Sequence, residues 1–166
     1  MDDPSSPSPE LGKILDAALS TMKAEQNCFL ITLDGSGQPQ ARMVAAASIG
    51  PDLSVWIITS AESRKVREIR KDDRATMAFS DNKGEGYVTL IGHARLDHDV
   101  NRKKALWKLR YEAFFPGGAE GNDSILIEFT PNQIEIMHLH LKVGILPWTF
   151  KPAILVREGG SWKRTG

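Results

Sequence analysis

The first apolar pattern along the chain is helical, and it follows a polar tail. Residues 1–8 are rich in Pro, Ser and Asp, so we expect a disordered N-terminal tail. Ser8 at its end suits an N-cap, and Pro9 suits the first turn of a helix. Apolar residues then recur at helical spacing from Leu11 to Met22, which predicts an amphipathic helix.

From residue 28 the pattern changes to short apolar and β-branched runs that are separated by turn-forming residues. Such a succession is typical of strands joined by hairpins. The predicted strands cover residues 28–33, 38–48, 53–59, 74–80, 86–96, 124–129, 133–139 and 153–157. The sequence Thr130-Pro131-Asn132 is expected to break the chain between the sixth and seventh of these strands.

Two shorter helices are predicted between the strands. One covers residues 60–72, with Val66 and Ile69 facing inward, and the other covers residues 101–114. The inward residues of the second helix are expected to be Ala105, Leu106, Leu109 and Phe114. Hairpins with helices only as insertions favour an antiparallel sheet, and this many strands in so short a chain favour a barrel. We therefore expect one mainly β domain over residues 9–166.

The overall composition limits the possible classes of function. The 166 residues suit one domain, and 21 basic residues offset 21 acidic ones, so net charge favours neither nucleic acid nor an anionic membrane surface. The N-terminus lacks the pattern of a secretory signal, and no apolar stretch approaches the ~20 residues that span a bilayer. A cytoplasmic location is the expectation. The single cysteine, Cys28, lies in an apolar run and is interpreted as a small buried hydrophobe.

A candidate anion site lies between residues 38 and 65. Arg42 stands in a strand of small apolar residues, where a guanidinium is costly to bury without an anionic partner. Thr59 and Ser60 lie where a strand passes into a helix, and Arg64 and Lys65 fall in the first turn of that helix, where an anion would offset their repulsion from the helix dipole. Two interpretations remain open at this point. Arg42 binds a phosphate, or it pairs with an acidic neighbour while the other cations form a solvated face.

Several short motifs follow one another in a specific order. They are an opening helix, Asp-Gly-x-Gly-x-Pro at 34–39, Arg-Met-Val at 42–44, Trp-Ile-Ile-Thr-Ser at 56–60, Ser-Arg-Lys at 63–65, Val-Thr-Leu-Ile-Gly-His-Ala at 88–94 and an apolar strand before Thr130-Pro131. In these motifs the chain resembles the pyridoxamine 5'-phosphate oxidase-like FMN-binding split barrels, and within them the general stress protein branch. The resemblance spans residues 11 to 138 and implies an antiparallel split β-barrel.

The resemblance also implies a cofactor, FMN, and a homodimer with the flavin at the subunit interface. Arg42 and Lys65 would grip the flavin phosphate, and Thr59, Ser60, Ser63 and Arg64 would complete its binding site. The backbone of Met43 and Val44 would lie beside the flavin ring, with Ile58 in contact from the next strand. Tyr87 stands where the oxidases carry a Gln that reaches the partner's flavin. Trp148 is added from its position alone, since a C-terminal aromatic segment could cover the ring of the partner's flavin.

The function is less determined than the cofactor. The C-terminal Trp, Arg and His residues that hold the vitamin substrate in the oxidases have no match here, so pyridoxamine phosphate oxidation is not expected. The leading hypothesis is a flavin-dependent oxidoreductase of unknown substrate. One alternative is a non-catalytic flavin-binding stress protein. Another is the same barrel with deazaflavin or with haem, for which His93, His138 and His140 are candidate axial ligands. No metal site is expected, because the pair His138 and His140 has no further ligand near it in the sequence.

Overall fold

The computed structural model describes residues 8–146 and 149–165 of the chain. Three α-helices are present in this part: α1 (Pro9–Ala24), α2 (Arg64–Lys71) and α3 (Val100–Leu106). The Ser8 side chain accepts a hydrogen bond from the Leu11 N–H, which confirms the predicted cap of α1. A 3₁₀ turn, Leu109–Ala113, follows α3. No helix in the described ranges is long and apolar enough to cross a membrane.

The rest of the described chain is built mainly from β-strands. They are β1 (Asn27–Leu33), β2 (Pro39–Ala45), β3 (Ser48–Ile49), β4 (Val55–Ser60), β5 (Arg74–Asp81), β6 (Gly86–Asp97), β7 (Ser124–His138), β8 (Ile145–Leu146), β9 (Thr149–Phe150), β10 (Ala153–Glu158) and β11 (Ser161–Thr165). The strand pairs are antiparallel, as predicted. The main sheet runs β11-β10-β7-β6-β5-β1-β2, with β4 joined to β7 and β3 joined to β4.

The long strand β7 gives the sheet its split form. Its first half, up to Phe129, pairs with β4 on one side and β6 on the other, whereas its second half, from Gln133, pairs with β10 and β6. The prediction of a break at Thr130-Pro131-Asn132 is therefore wrong. Pro131 lies within β7 opposite Gly92, where the register shifts between Ile91 and Gly92. A bulge of this kind lets a strand continue through a proline.

The main core lies on one face of the sheet, beneath α1 and α2. Val66 and Ile69 of α2 are buried in it, as predicted, together with α1 residues such as Ile14 and Met22. A second, smaller cluster lies on the other face of β4 and β7. It consists of Ala47, Ile58, Tyr111 and Leu126, with Trp56, Leu106, Trp107 and Phe115 packed against it.

The predicted helix over 101–114 is interrupted. The backbone is extended at Trp107 and Lys108, so α3 ends at Leu106 and a separate 3₁₀ turn begins at Leu109. As a result Tyr111 is buried, whereas Ala105, Leu109 and Phe114 are exposed, contrary to the prediction. Of the four residues expected to face inward, only Leu106 packs against a core cluster.

Candidate functional site

The residues singled out around 42 and 59–65 come together between two strands. Arg42 lies on β2, which is the last strand at its end of the sheet order, and Thr59 lies on β4. Helix α2 begins at Arg64, directly after β4, and its Glu68 reaches back to Arg42. We call the group Arg42, Thr59, Ser63, Arg64 and Lys65 the basic cradle.

The Arg42 guanidinium is hydrogen-bonded to one buried carboxylate and one buried hydroxyl. Its Nη2 donates to the Glu68 carboxylate, with an N···O distance of 2.7 Å, and its Nη1 donates to the Thr32 hydroxyl. Thr32 in turn donates to the same Glu68 carboxylate. The side chain of Glu68 is only 7% exposed and that of Arg42 only 16%. The acidic neighbour left open by the sequence therefore exists, and it is Glu68.

Lys65 is the second cation of the cradle, and it makes no ion pair among the described residues. Its Nζ donates to the Thr59 hydroxyl at 2.9 Å. Burial lowers the pKa of Lys65 below its ordinary value of 10.5, and the Arg42 and Arg64 guanidinium groups lower it further, while Glu68 acts in the opposite direction. A half-buried ammonium that other cations destabilise favours the approach of an anion.

Ser63 lies at the start of α2, where such an anion would meet the helix. It is the residue before the first helical one, yet its hydroxyl accepts no capping hydrogen bond. The Ser63 Oγ atom is buried and has no hydrogen-bond partner in the described ranges. The first N–H groups of a helix also lack partners within the helix. An unused hydroxyl and unused N–H groups therefore point to the same place at the start of α2.

The charges of the cradle do not balance. Arg42, Arg64 and Lys65 carry three positive charges, and Glu68, which contacts Arg42 at 2.7 Å and Arg64 at 3.4 Å, carries one negative charge. The group therefore has two positive charges in excess, although the whole chain has a net charge of zero. A protein with no net charge can attract an anion only through such a local excess of positive charge.

The remaining candidates on the two strands differ in orientation. Met43 is 63% exposed on the outer face of β2, and Val44 packs against the main core. Because β2 is an edge strand, part of its backbone N–H and C=O groups faces away from β1. The side chain of Ile58 lies in the second cluster, on the opposite face of β4 from Thr59, and does not join the cradle. Ser60 is exposed, and its hydroxyl accepts a hydrogen bond from the Glu62 N–H.

Tyr87 is not brought to the cradle within this chain. Tyr87 lies on β6 and pairs in register with Ser80 of β5, so two further strands, β5 and β1, separate it from β2. Its hydroxyl donates to the Glu135 carboxylate at 2.7 Å. Trp148 lies outside the described residues. Within the described residues, the predicted site residues that lie together therefore come from β2, β4 and the start of α2.

His138, one of the candidate axial ligands, lies inside the fold. It is buried, its Nε2 lies 3.0 Å from the Asp81 carboxylate, and its Nδ1 accepts a hydrogen bond from the Leu141 N–H. His140 follows in an exposed turn. Both ring nitrogens of His138 are thus used in fixing the turn after β7.

An apolar patch covers the outer face of the sheet beside the cradle. Phe29 pairs in register with Met43 on one side and Ala78 on the other, and Thr76 pairs with Ile91. Phe29 is 51% exposed and Ile91 is 43% exposed. Exposed apolar side chains that share one face of a sheet in this way are typical of a protein interface.

The sequence did not point to two residues that contact Arg42 in the candidate site, Thr32 and Glu68. Thr32 stands in an apolar strand and gives no signal of its own. Glu68 is the one acid in the basic run 64–71, close to the inward residues Val66 and Ile69. That position, on the border of the buried face, was the available clue to a partner for Arg42.

Comparisons with known proteins identify the family and the fold of the chain. Residues 15–141 match the family model described as pyridoxamine 5'-phosphate oxidase like. General stress protein 26 of Bacillus subtilis is 25% identical over 112 residues, which cover 66% of this chain and 78% of that protein.

Two solved structures show the same fold. One is a protein from Clostridium acetobutylicum related to general stress protein 26, with a TM-score of 0.68, 22% identity and coverage of 78% of this chain and 91% of that one. The other is a pyridoxamine 5'-phosphate oxidase-related FMN-binding protein from Nostoc punctiforme, with a TM-score of 0.65, 16% identity and coverage of 97% of both chains. The predicted split β-barrel is confirmed, and the chain belongs to the pyridoxamine 5'-phosphate oxidase-like family.

Proposed function

We propose that this protein binds FMN, and that the basic cradle holds the flavin phosphate. The observation that carries the proposal is the excess of two positive charges beside the unpartnered Ser63 hydroxyl at the start of α2. A phosphate monoester carries about two negative charges at neutral pH and offers three acceptor oxygens. It would neutralise the cradle and accept hydrogen bonds from Ser63 and from the helix N-terminus.

The pairing of Arg42 with Glu68 is compatible with this role. A guanidinium has five N–H donors. Three Arg42 hydrogen bonds are present, to Glu68, to Thr32 and, at 3.5 Å, to the Leu30 carbonyl, so further donors remain for a phosphate. We infer that Glu68 fixes the orientation of Arg42, and that Lys65 and Arg64 supply the uncompensated charge.

We propose further that the protein is a homodimer in which the outer apolar patch, with Phe29, Met43 and Ile91, packs against a second copy. The patch and the cradle share strand β2, since Arg42 and Met43 are adjacent and lie on opposite faces of it. A second copy on the patch would therefore stand next to the phosphate site. The partner's Tyr87, which is remote from the cradle of its own chain, would then be available to the flavin.

In this proposal the flavin supplies the redox chemistry, and the chain binds and orients it. We propose a flavin-dependent oxidoreductase in the cytoplasm. The alternative function is a carrier or sensor that holds FMN without turnover. The rate of flavin reduction by NADH or NADPH distinguishes the oxidoreductase from this alternative. Slow reduction with tight binding would assign the protein to the second class.

Haem fits the described residues less well than a flavin does. Both ring nitrogens of His138 are hydrogen-bonded, and His93 is paired through Nδ1 with Asp73. None of the histidines considered as axial ligands lies on β2, β4 or α2, the elements that form the cradle. A deazaflavin with a phosphate would use the same cradle, and its absorption spectrum differs from that of FMN.

The first test is the visible absorption spectrum of the purified protein, before and after addition of FMN. We expect the band of a bound flavin, with FMN released on denaturation. A protein that shows no flavin band after FMN is added would contradict the proposal. The dimer is tested by analytical ultracentrifugation of Met43→Asp, with the exposed Asn82→Asp as a control of equal charge change. We expect Met43→Asp to be monomeric and the control to remain dimeric.

A further inference from the structure

A basic cavity lies apart from the cradle. It is formed by the first turns of α1, the turn after β7 and the strands β10 and β11. Its volume is about 380 Å³, within the range of small-molecule sites. The side chains that matter for its charge are Glu10, Lys13, Lys142, Lys151 and Arg164.

The charges of this cavity come from four separate segments. Lys13 lies on α1, Lys142 in the turn after β7, Lys151 just before β10 and Arg164 on β11. Glu10 is the carboxylate in the described lining, and it is already paired with Arg164. Four cations against one carboxylate leave three positive charges in excess, on a chain whose net charge is zero. None of the three lysines makes an ion pair in the part of the chain that the structure describes.

The backbone places the segments that carry two of these lysines side by side. Lys142 has a positive φ of 55°, an uncommon conformation for a residue with a side chain, and its N–H donates to the Leu139 carbonyl. Gly144, with φ 69°, brings the same turn against the segment of Lys151. A Cβ atom at Gly144 would stand 3.0 Å from the Pro152 Cα atom and 3.1 Å from the Lys151 carbonyl oxygen. The turn therefore has a defined position beside Lys151.

The cavity is separate from the cradle, because none of its lining residues lies on β2, β4 or α2, the elements that carry the cradle. The start of α1, a helix of 16 residues, adds the positive end of its dipole to the lysines. We propose that this cavity is a second anion site, and that it binds a small molecule with a diphosphate group. Three uncompensated cations in a concave site of this size favour a compact anion with several charges over a single carboxylate.

The test is isothermal titration calorimetry of the full chain with sodium pyrophosphate, without magnesium, in the presence of saturating FMN. The informative variant is Lys142→Asn/Lys151→Gln, in which Asn keeps the positive φ at 142. The control is Lys71→Gln/Lys83→Asn, which changes the net charge equally outside both sites. We expect the first variant to weaken pyrophosphate binding by at least about tenfold, and the control to bind within about twofold of the wild type.

The variant Lys65→Gln separates this proposal from the proposed flavin function. If pyrophosphate occupies the cavity, Lys65→Gln binds it like the wild type, whether or not FMN binds to the cradle. Loss of pyrophosphate binding in Lys65→Gln, with binding retained in Lys142→Asn/Lys151→Gln, would overturn the proposal. No pyrophosphate binding by the wild type, or equal weakening in the control, would overturn it as well. Thermal unfolding of each variant checks that the chain remains folded.

Discussion

The buried pair of Arg42 and Glu68 makes a prediction about stability that is independent of any ligand. We consider the variants Arg42→Met, which keeps the aliphatic stem, Glu68→Gln, which keeps the shape of the carboxylate, and the double variant. Arg42→Met leaves the Glu68 carboxylate buried, with the Thr32 hydroxyl and Arg64 at 3.4 Å as its remaining partners. Glu68→Gln leaves the Arg42 guanidinium, whose side chain is 16% exposed, without its counter-ion.

The magnitude follows from burial and distance. Removing one partner of a buried ion pair costs about 3–5 kcal/mol. Glu68 keeps two partners after Arg42→Met, so we expect about 3 kcal/mol, at the lower end of the range. Glu68→Gln should cost about 1.5 kcal/mol, because Arg42 is partly in contact with solvent. The double variant removes both charges and should cost about 2 kcal/mol, which gives a coupling energy of about 2.5 kcal/mol.

The assay is urea unfolding of the four proteins without flavin, at one protomer concentration and near neutral pH. A fixed concentration is needed because association would add to the apparent stability. We expect equal slopes and shifted midpoints. A coupling energy below about 0.5 kcal/mol would refute the reasoning, since it would mean that Arg42 and Glu68 do not sense each other in the folded chain.

Three further predictions concern single side chains. Ser63→Ala should weaken FMN binding about tenfold in a fluorescence titration, as expected for loss of a hydrogen bond to a charged group. The melting temperature of the flavin-free protein should stay unchanged, because the Ser63 hydroxyl has no hydrogen-bond partner in the described part of the chain. The lowered pKa of Lys65 means that the unfolded chain holds this proton more tightly, so the flavin-free wild type should gain stability relative to Lys65→Met as the pH rises towards 10.5. A difference in urea midpoint that stays constant over this pH range would contradict it. Burial raises the pKa of the Cys28 thiol to about 12, so an aromatic disulfide reagent near neutral pH should label Cys28 only after unfolding, and fast labelling of the native protein would show that the thiol is accessible.

Local patterns predicted much of the fold. The cap at Ser8, the inward positions Val66 and Ile69 and the antiparallel strands each depend on residues close in the chain, and the structure confirms them. The prediction of one helix over 101–114 was wrong, because the apolar residues of this segment share one helical face only if the helix is continuous. The extended backbone at Trp107 breaks that continuity and exposes Leu109 and Phe114. Nothing in the local pattern indicates this break.

The sequence predicted the cations of the candidate site but not the acidic side chain that partly neutralises them. Arg42, Arg64 and Lys65 attract attention because each cation stands where burial or a helix dipole disfavours it. Their relation to Glu68 and Thr32 depends on how α2 packs against β1 and β2, which joins residues 26 and 36 positions apart in the chain. Contacts of this kind are set by tertiary packing, so the charge excess of two appears only in the structure.

The central claim is that the cradle binds the phosphate of FMN, and a comparison of FMN with riboflavin tests it most directly. Riboflavin has the same ring and ribityl chain but lacks the phosphate. Fluorescence titration of the wild type and Lys65→Gln with both flavins gives four dissociation constants. Two or more charge-assisted hydrogen bonds to the phosphate predict that the wild type binds FMN at least about 100-fold more tightly than riboflavin. The account predicts that Lys65→Gln reduces this ratio and leaves riboflavin binding unchanged, whereas equal affinities of the wild type for the two flavins would contradict it.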